Sequence, residues 1–269
     1  MSTLIDGMAA EQVAADSRGL AYGDGVFRTL LVHAGEIVHI DDHLAVLARD
    51  AARLDLEMPD AALWRADSQR LAAGQPLAVL KWLLVRRSAG RGYRAGTRAA
   101  QRIVQIAPLP PPESPRPAAV AALAAFRLAS QPALAGIKHL NRLEQVLAAR
   151  ELHDGIDELL MCDHDGHLVG GLRSNLFWVR DGRLLTPLVD RCGVAGTMRG
   201  RILQLAAGLG IACREVREPP SALASCSEMF VTNALLGIWP LRRFDRRELI
   251  APGPLTERLQ RELRHPLSH

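Results

Sequence analysis

The sequence predicts a mixed α+β protein built from two domains. Three observations carry this. Strand-like and helix-like segments mix along the chain without strict βαβ alternation, which argues against a doubly wound sheet. A proline-dense stretch, Pro108-Leu-Pro-Pro-Pro-Glu-Ser-Pro-Arg-Pro117, holds six prolines in ten residues and suits neither regular helix nor central strand. Finally, 269 residues with 48% hydrophobic content are enough to bury one large core or two modest ones. The expected layout is an N-terminal domain over residues 1–107, an extended linker over 108–117, and a C-terminal domain over 118–269.

Taken in order, residues 2–5 and 26–38 read as strands. A helix is expected from His39 to about Leu54, with Asp41 or Asp42 as its cap. Residues 60–73 form a second helix, and 77–85 and 102–107 are strands. Beyond the linker, 118–126 reads as strand and 140–152 as helix. Strands follow at 157–162, 167–170, 174–180 and 183–186, then a helix at 197–209 that Thr197 can cap. Strands at 211–216 and 228–232 and a helix at 255–264 complete the series. No internal repeat is visible.

Composition narrows the function. The formal charge is +4 and aromatics make up 4%, which leaves little stacking surface for single strands. No nucleic-acid motif is present, so no nucleic-acid partner is expected. No run of 18 apolar residues predicts a membrane span, and residues 1–25 lack the pattern of a signal peptide. Cys162, Cys192, Cys213 and Cys226 form no CxxC pair, which reads as reduced thiols in a cytoplasmic protein.

The most informative residue type is lysine. Lys plus Arg number 33, and only Lys81 and Lys138 are lysines, leaving 31 arginines. A lysine can do what an arginine cannot, which is to lose its proton near neutral pH and act as base or nucleophile. Lys138 lies in Ala135-Gly-Ile-Lys-His-Leu-Asn-Arg-Leu-Glu144, just ahead of an amphipathic stretch. Ala195-Gly-Thr-Met-Arg-Gly-Arg-Ile202 reads as a helix start whose N–H groups suit an anion. Its spacing is not that of a dinucleotide site. Asp163-His-Asp-Gly-His167 has metal-ligand density but reads as a hairpin turn between apolar runs, and no metal is expected. Arg86, Arg87, Arg91 and Arg94 form a basic stretch suited to small anions or to solvent.

Six stretches stand out together: Asp16-Ser-Arg-Gly-Leu-Ala-Tyr-Gly-Asp-Gly-Val-Phe27, Gly90-Arg-Gly-Tyr93, Leu134 to Val146 around Lys138, Ser174-Asn-Leu-Phe-Trp178, Gly193 to Arg199, and Met229-Phe-Val-Thr-Asn-Ala234. In combination they resemble aminodeoxychorismate lyases of the branched-chain aminotransferase-like, fold type IV class of pyridoxal phosphate enzymes. The resemblance implies two α/β domains with the active site between them, and a homodimer. It implies that Lys138 holds pyridoxal 5'-phosphate as a Schiff base and shuttles protons. The remaining cofactor set would be Gly196, Thr197, Met198, Asn233 and Ala234. Arg91, Tyr93, His139 and Asn141 would bind a small dicarboxylate, 4-amino-4-deoxychorismate, which yields 4-aminobenzoate, a folate precursor, and pyruvate. Arg28, Arg173 and Asn175 are further candidates to face the site.

Two departures stand against these matches. The family pattern His-x-x-Arg-Leu, whose Arg contacts the cofactor phosphate, reads His43-Leu-Ala-Val-Leu47 here, so Val46 replaces the Arg and Arg49 lies one turn on. The Glu that pairs with the pyridine nitrogen is replaced by Gly170. Three readings follow. The cofactor is held by the Thr197 helix start and by Asn233 and Ala234. Alternatively, a cofactor-independent lyase uses Lys138 as general base on aminodeoxychorismate or chorismate. The third is a non-catalytic paralogue that binds an anionic ligand.

Overall fold

A computed structural model describes residues 2–113 and 115–267. It divides into two compact units. The first contains residues 1–111 together with 137–141, and the second contains 112–136 and 142–269.

The first unit is an antiparallel sheet of six strands in the order β2-β1-β6-β5-β3-β4. The strands are β1 (Ser2–Ile5), β2 (Met8–Ala9), β3 (Gly25–His33), β4 (Glu36–Ile37), β5 (Leu77–Arg86) and β6 (Ala100–Pro108). Three helices accompany them: α1 (Arg18–Tyr22), α2 (Ile40–Arg53) and α3 (Ala61–Ala72). Strand alternation places Val26, Leu30 and Val32 of β3 and Leu80, Trp82 and Leu84 of β5 in one buried cluster. Leu44, Leu47 and Ala51 of α2 join them at helical spacing. Trp64 of α3 packs on Trp82 with ring centroids 5.2 Å apart, and the buried indole of Trp82 donates to Ser68 Oγ at 2.8 Å. Ile137 belongs to this same core although its sequence neighbours on the N-terminal side belong to the second unit.

The second unit is a nine-stranded sheet in the order β12-β11-β10-β13-β14-β7-β8-β9, with β15 paired to β14. Its elements are β7 (Ala119–Leu128), α4 (Leu143–Ala148), β8 (Glu158–Asp163), β9 (Leu168–Gly171), β10 (Asn175–Arg180), β11 (Arg183–Pro187), α5 (Thr197–Gly208), β12 (Cys213–Val216), β13 (Glu228–Asn233), β14 (Gly237–Phe244), β15 (Arg247–Glu248) and α6 (Pro254–Leu263). Strand β10 is buried on both faces, which explains its unbroken apolar run. Leu176 and Trp178 enter one core with Met229 and Val231. Phe177 and Val179 enter another with Met198 and Ile202 of α5 and Leu259 of α6.

Several elements differ from the sequence reading, each for a local reason. The strand expected over 26–38 is broken at Ala34-Gly35, where both residues have positive φ and turn β3 into β4. His39, not Asp41 or Asp42, caps α2; the two aspartates sit in its first turn, where they favour the positive end of the helix dipole. Gly196, not Thr197, is the cap residue of α5. The helix expected over 140–152 is shortened to α4 and a 3₁₀ turn, Ala149–Glu151; at its start Leu140 N is bonded to Gly25 O and the Asn141 side chain to Gly23 O instead. Strand β14 was not expected. Its Pro240 argues against a central strand, yet β14 lies between β13 and β7. The conflict resolves because Gly237–Pro240 pairs with β13 and Leu241–Phe244 with β7, with an irregularity between Leu241 and Arg243. Asp163 to His167 forms the expected hairpin turn between β8 and β9, closed by Asp163 N to His167 O at 2.9 Å.

Candidate active site

Lys138 is held by strand pairing and by one side chain. Phe27 N donates to Lys138 O at 2.9 Å and Leu140 N to Gly25 O at 2.9 Å, with an isolated antiparallel bridge between Val26 and His139. Residues 137–141 thereby extend the sheet along β3, so by its contacts Lys138 belongs with the first unit rather than with the C-terminal segment that supplies it. The Lys138 N–H goes to Asp50 Oδ2 at 3.0 Å. From this anchored backbone the amine reaches the ring of Phe27, 4.6 Å from its centroid, within the range of a cation–π contact. Lys81 on β5 approaches the same ring at 5.3 Å. The two lysines of this arginine-dominated chain thus share one aromatic neighbour.

The glycines of Tyr22-Gly-Asp-Gly-Val-Phe27 make this packing possible. A Cβ on Gly23 would overlap the side chain of Asn141, and one on Gly25 would lie 2.8 Å from Leu140 Cδ1. Gly23 also has positive φ and closes α1 in the left-handed conformation. Asn141 Nδ2 donates to Gly23 O at 3.3 Å. The motif and the lysine segment are therefore two halves of one packing arrangement.

Arg91 and Tyr93 lie elsewhere in the first unit, on the loop between β5 and β6, and Tyr93 is 91% exposed. That loop is pinned by a residue the sequence reading passed over. The buried Arg18 donates to Gly92 O at 2.8 Å and Tyr93 O at 3.2 Å. Its Nε pairs with Asp24 at 2.8 Å, and Arg86 pairs with the same carboxylate at 2.9 Å. Tyr22 and Tyr93 face each other with centroids 5.6 Å apart.

Asp50 is the second residue missed. It is fully buried and pairs with Arg28 on β3 and with Arg49. A carboxylate on the apolar stripe of an amphipathic helix was the available signal. His43, on the same stripe, is lowered to about 3, first by burial and then by the nearby charges of Arg28, His39 and Lys138, so its imidazole is neutral at ordinary pH. Val46 offers no cation to this neighbourhood.

In the second unit, the start of α5 carries no group that would repel an anion. Gly196 precedes it, no side chain caps it, and its first turn holds no acid. Met198 is buried in the α5 core, which leaves its backbone N–H as its usable group. A Cβ at Gly196 would overlap Asn175 Oδ1. Asn175 Nδ2 donates to Val194 O at 2.7 Å. Gly136 N donates to Gly193 O at 3.0 Å and Ala195 N to Gly136 O at 3.0 Å, so the loop into α5 is tied two residues before Lys138. Asn233 Oδ1 accepts from Leu235 N and Leu236 N at 3.0 and 2.9 Å, shaping the turn that carries Ala234. Arg173 is exposed and donates to Asp157 O at 2.9 Å.

Gly170 carries no carboxylate, and the nearest buried acid does not replace it. Glu158 contacts the opposite face of β9: a Cβ on Gly171, not Gly170, would lie 3.0 Å from the Glu158 carboxyl carbon. A Cβ on Gly170 would instead lie 3.1 Å from Ser174 O and 3.9 Å from Asn175 Nδ2. Burial raises Glu158 above the usual carboxylate range, against the hydrogen bond from Ser174 Oγ at 2.7 Å.

Asp163, Asp165 and His167 bring their donor atoms within 4.8 Å of one another, but Arg191 and Arg217 pair with the two carboxylates. All four cysteines are free, and burial pushes Cys192 up to about 12. Among the described residues, no helix is long and apolar enough to cross a membrane.

Comparison with known proteins identifies the family. The crystal structure of 4-amino-4-deoxychorismate lyase from Pseudomonas aeruginosa superposes with a TM-score of 0.91 at 39% identity, covering 99% of this chain and 100% of that one. An aminodeoxychorismate lyase of Vibrio harveyi is 29% identical over 96% of this chain and 98% of its own length. A D-alanine aminotransferase of Bacillus licheniformis is 25% identical over 99% and 97%. The profile of the amino-transferase class IV family matches residues 25–244, which contain Val46, Lys138, Gly170 and the start of α5, and the chain belongs to that family.

Proposed function

We propose that this protein is a carbon–oxygen lyase that converts 4-amino-4-deoxychorismate to 4-aminobenzoate and pyruvate, with Lys138 as its reactive amine. The observation that carries the proposal is the placement of Lys138. Its backbone is anchored to β3 and Asp50 and its amine lies over Phe27, in a chain alike over its whole length to a lyase of that name.

Two sets of residues, one within each unit, have the chemistry that parts of pyridoxal 5'-phosphate require. Lys138 supplies the amine for a covalent link. Gly196, Thr197 and Met198 supply an uncapped helix start without acids for the phosphate, with Asn233 and Ala234 completing that set. When bound, the cofactor supplies an electron sink. The protein does the rest. Lys138, as the free amine, would take the C4 proton. The C3–O bond breaks with its electrons going to the leaving enolpyruvate, and the resulting ammonium is the proton source that turns enolpyruvate into pyruvate. Formation of the aromatic ring drives the elimination. Arg91 and Tyr93 orient the substrate carboxylates, with His139 and Asn141 beside the lysine. The same reading makes the protein a homodimer of the cytoplasm, for which sedimentation should give twice the chain mass.

A second reading is favoured by one observation, the absence of a carboxylate at Gly170 with Glu158 on the other face of β9. In it the elimination proceeds without cofactor, Lys138 acting as base alone. One experiment separates the two. Pyridoxal phosphate is added, the mixture is reduced with borohydride, and peptides are analysed by mass. Modification of Lys138, lost together with lyase activity in Lys138→Ala, is expected. An active wild type in which Lys138 stays unmodified moves the assignment to the cofactor-free reaction, and a wild type inactive under both conditions sinks both readings.

A further inference from the structure

Asp50 joins three parts of the first unit at one carboxylate. Oδ2 accepts the Lys138 N–H at 3.0 Å and pairs with Arg28 of β3; Oδ1 accepts Arg49 Nε at 3.1 Å and Nη2 at 2.8 Å. A fully buried carboxylate survives as an ion only when its lone pairs are satisfied, and these donors satisfy them. The donors differ in kind. Arg49 is half exposed and has water as an alternative partner to Asp50. The Lys138 N–H comes from a residue 88 positions away, and the bridge that fixes its segment is a single pair, Val26 with His139.

We infer that Asp50 is a positioning residue for Lys138: its Oδ2 fixes the backbone from which the amine projects over Phe27, and its charge, balanced against Arg28 and Arg49, acts on that amine. The inference rests on the reading of Lys138 as the functional amine. The charged and titratable groups linked to it include His43 on α2 and, through His43, His39 and Arg28, Asp50 with its partners Arg28 and Arg49, and Lys81 on the shared Phe27 ring. His43 is neutral because burial and the neighbouring cations hold it at about 3, so Asp50 and the arginines dominate the balance.

The test uses the full chain without cofactor, labelled with ¹³C-lysine. Two lysines give two Cε signals, assigned with Lys81→Arg, and the signal of Lys138 reports both its titration and the ring current of Phe27. Asp50→Asn keeps an oxygen for the Lys138 N–H and removes the charge. It should lower the Lys138 titration by about one pH unit and leave the ring-current shift in place. Arg28→Met removes a cation and should raise the titration by about one pH unit. Asp50→Ala removes the acceptor and should abolish the ring-current shift. A merely structural carboxylate gives no such opposite signs: titrations unchanged in both charge variants, or moved in the same direction, overturn the inference. If the Asp50 variants do not fold, Arg28→Met decides alone, since Asp50 keeps Arg49 and the Lys138 N–H there, and an unmoved titration rejects the inference. Because no cofactor is added and no turnover is read, a wild type inactive with and without pyridoxal phosphate would sink the proposed function and leave this result standing.

Discussion

At the scale of single residues, the charge pattern around Lys138 has a consequence for stability. His43 takes a proton near pH 6.5 when unfolded and only at about 3 when folded. The unfolded chain therefore binds more protons across that interval, so stability is complete above pH 6.5 and declines as pH falls from there toward 3. Between pH 7 and pH 5 this one group should cost about 2 kcal/mol. Urea unfolding at the two pH values should show that loss in the wild type and a correspondingly smaller one in His43→Gln, whatever the variant's own baseline. An equal loss in both proteins would assign the acid sensitivity elsewhere. His43, Asp50 and Arg28 were all visible as residue types, but their meeting was not. A helix position and a strand position 22 residues apart come together only through the register of β3 on its neighbours and the packing of α2 against the sheet.

At the scale of elements, the stretch Asp16 to Phe27 works as a clamp on the loop that carries Arg91 and Tyr93. Arg18 spends its guanidinium on Asp24 and on the carbonyls of Gly92 and Tyr93. Charge-assisted bonds of this kind are worth about 1.5–3 kcal/mol each in mutational series. Arg18→Met should speed amide exchange over residues 88–97 by tenfold or more and raise KM for the dicarboxylate substrate, while kcat changes little. Unaltered exchange in that loop would mean that Tyr22 and the turn itself hold it. The same scale explains which elements were legible. Strands β5, β6 and β10 and helices α3 and α5 follow from apolar periodicity to within two residues. The errors fall where a tertiary partner overrides a local signal: Pro240 tolerated at the changeover of β14, and the first residues of the helix expected over 140–152 held instead against Gly25 and Gly23.

At the scale of the whole molecule, the chain returns to its first unit for five residues. Residues 137–141 follow a glycine paired within the second unit and then contribute Ile137 to the first core and Lys138 to its sheet edge. Removing a buried isoleucine side chain from a core costs about 2–5 kcal/mol. A fragment of residues 1–111 should therefore be less stable than the same unit in the full chain, and a peptide of residues 135–142 should raise its melting temperature. The peptide with Ile137→Ala should not. A fragment indifferent to both peptides would show that the first core closes without this segment.

The sequence by itself determined the two-part α+β organisation, most strand and helix positions, and Lys138 as the reactive candidate, because periodicity, turn chemistry and the scarcity of lysine are local or compositional properties. It also exposed Val46 and Gly170 as departures from the family pattern. Only the tertiary structure decided that Lys138 joins the first unit, that Asp50 holds its backbone, that Arg18 fastens the Arg91 loop, and that Glu158 contacts the face of β9 opposite Gly170. Each of these depends on strand register and on burial, which set side chains far apart in sequence on one face or on opposite faces. A change of one residue in strand register would turn Arg28 of β3 or Gly170 of β9 to the opposite face of its sheet.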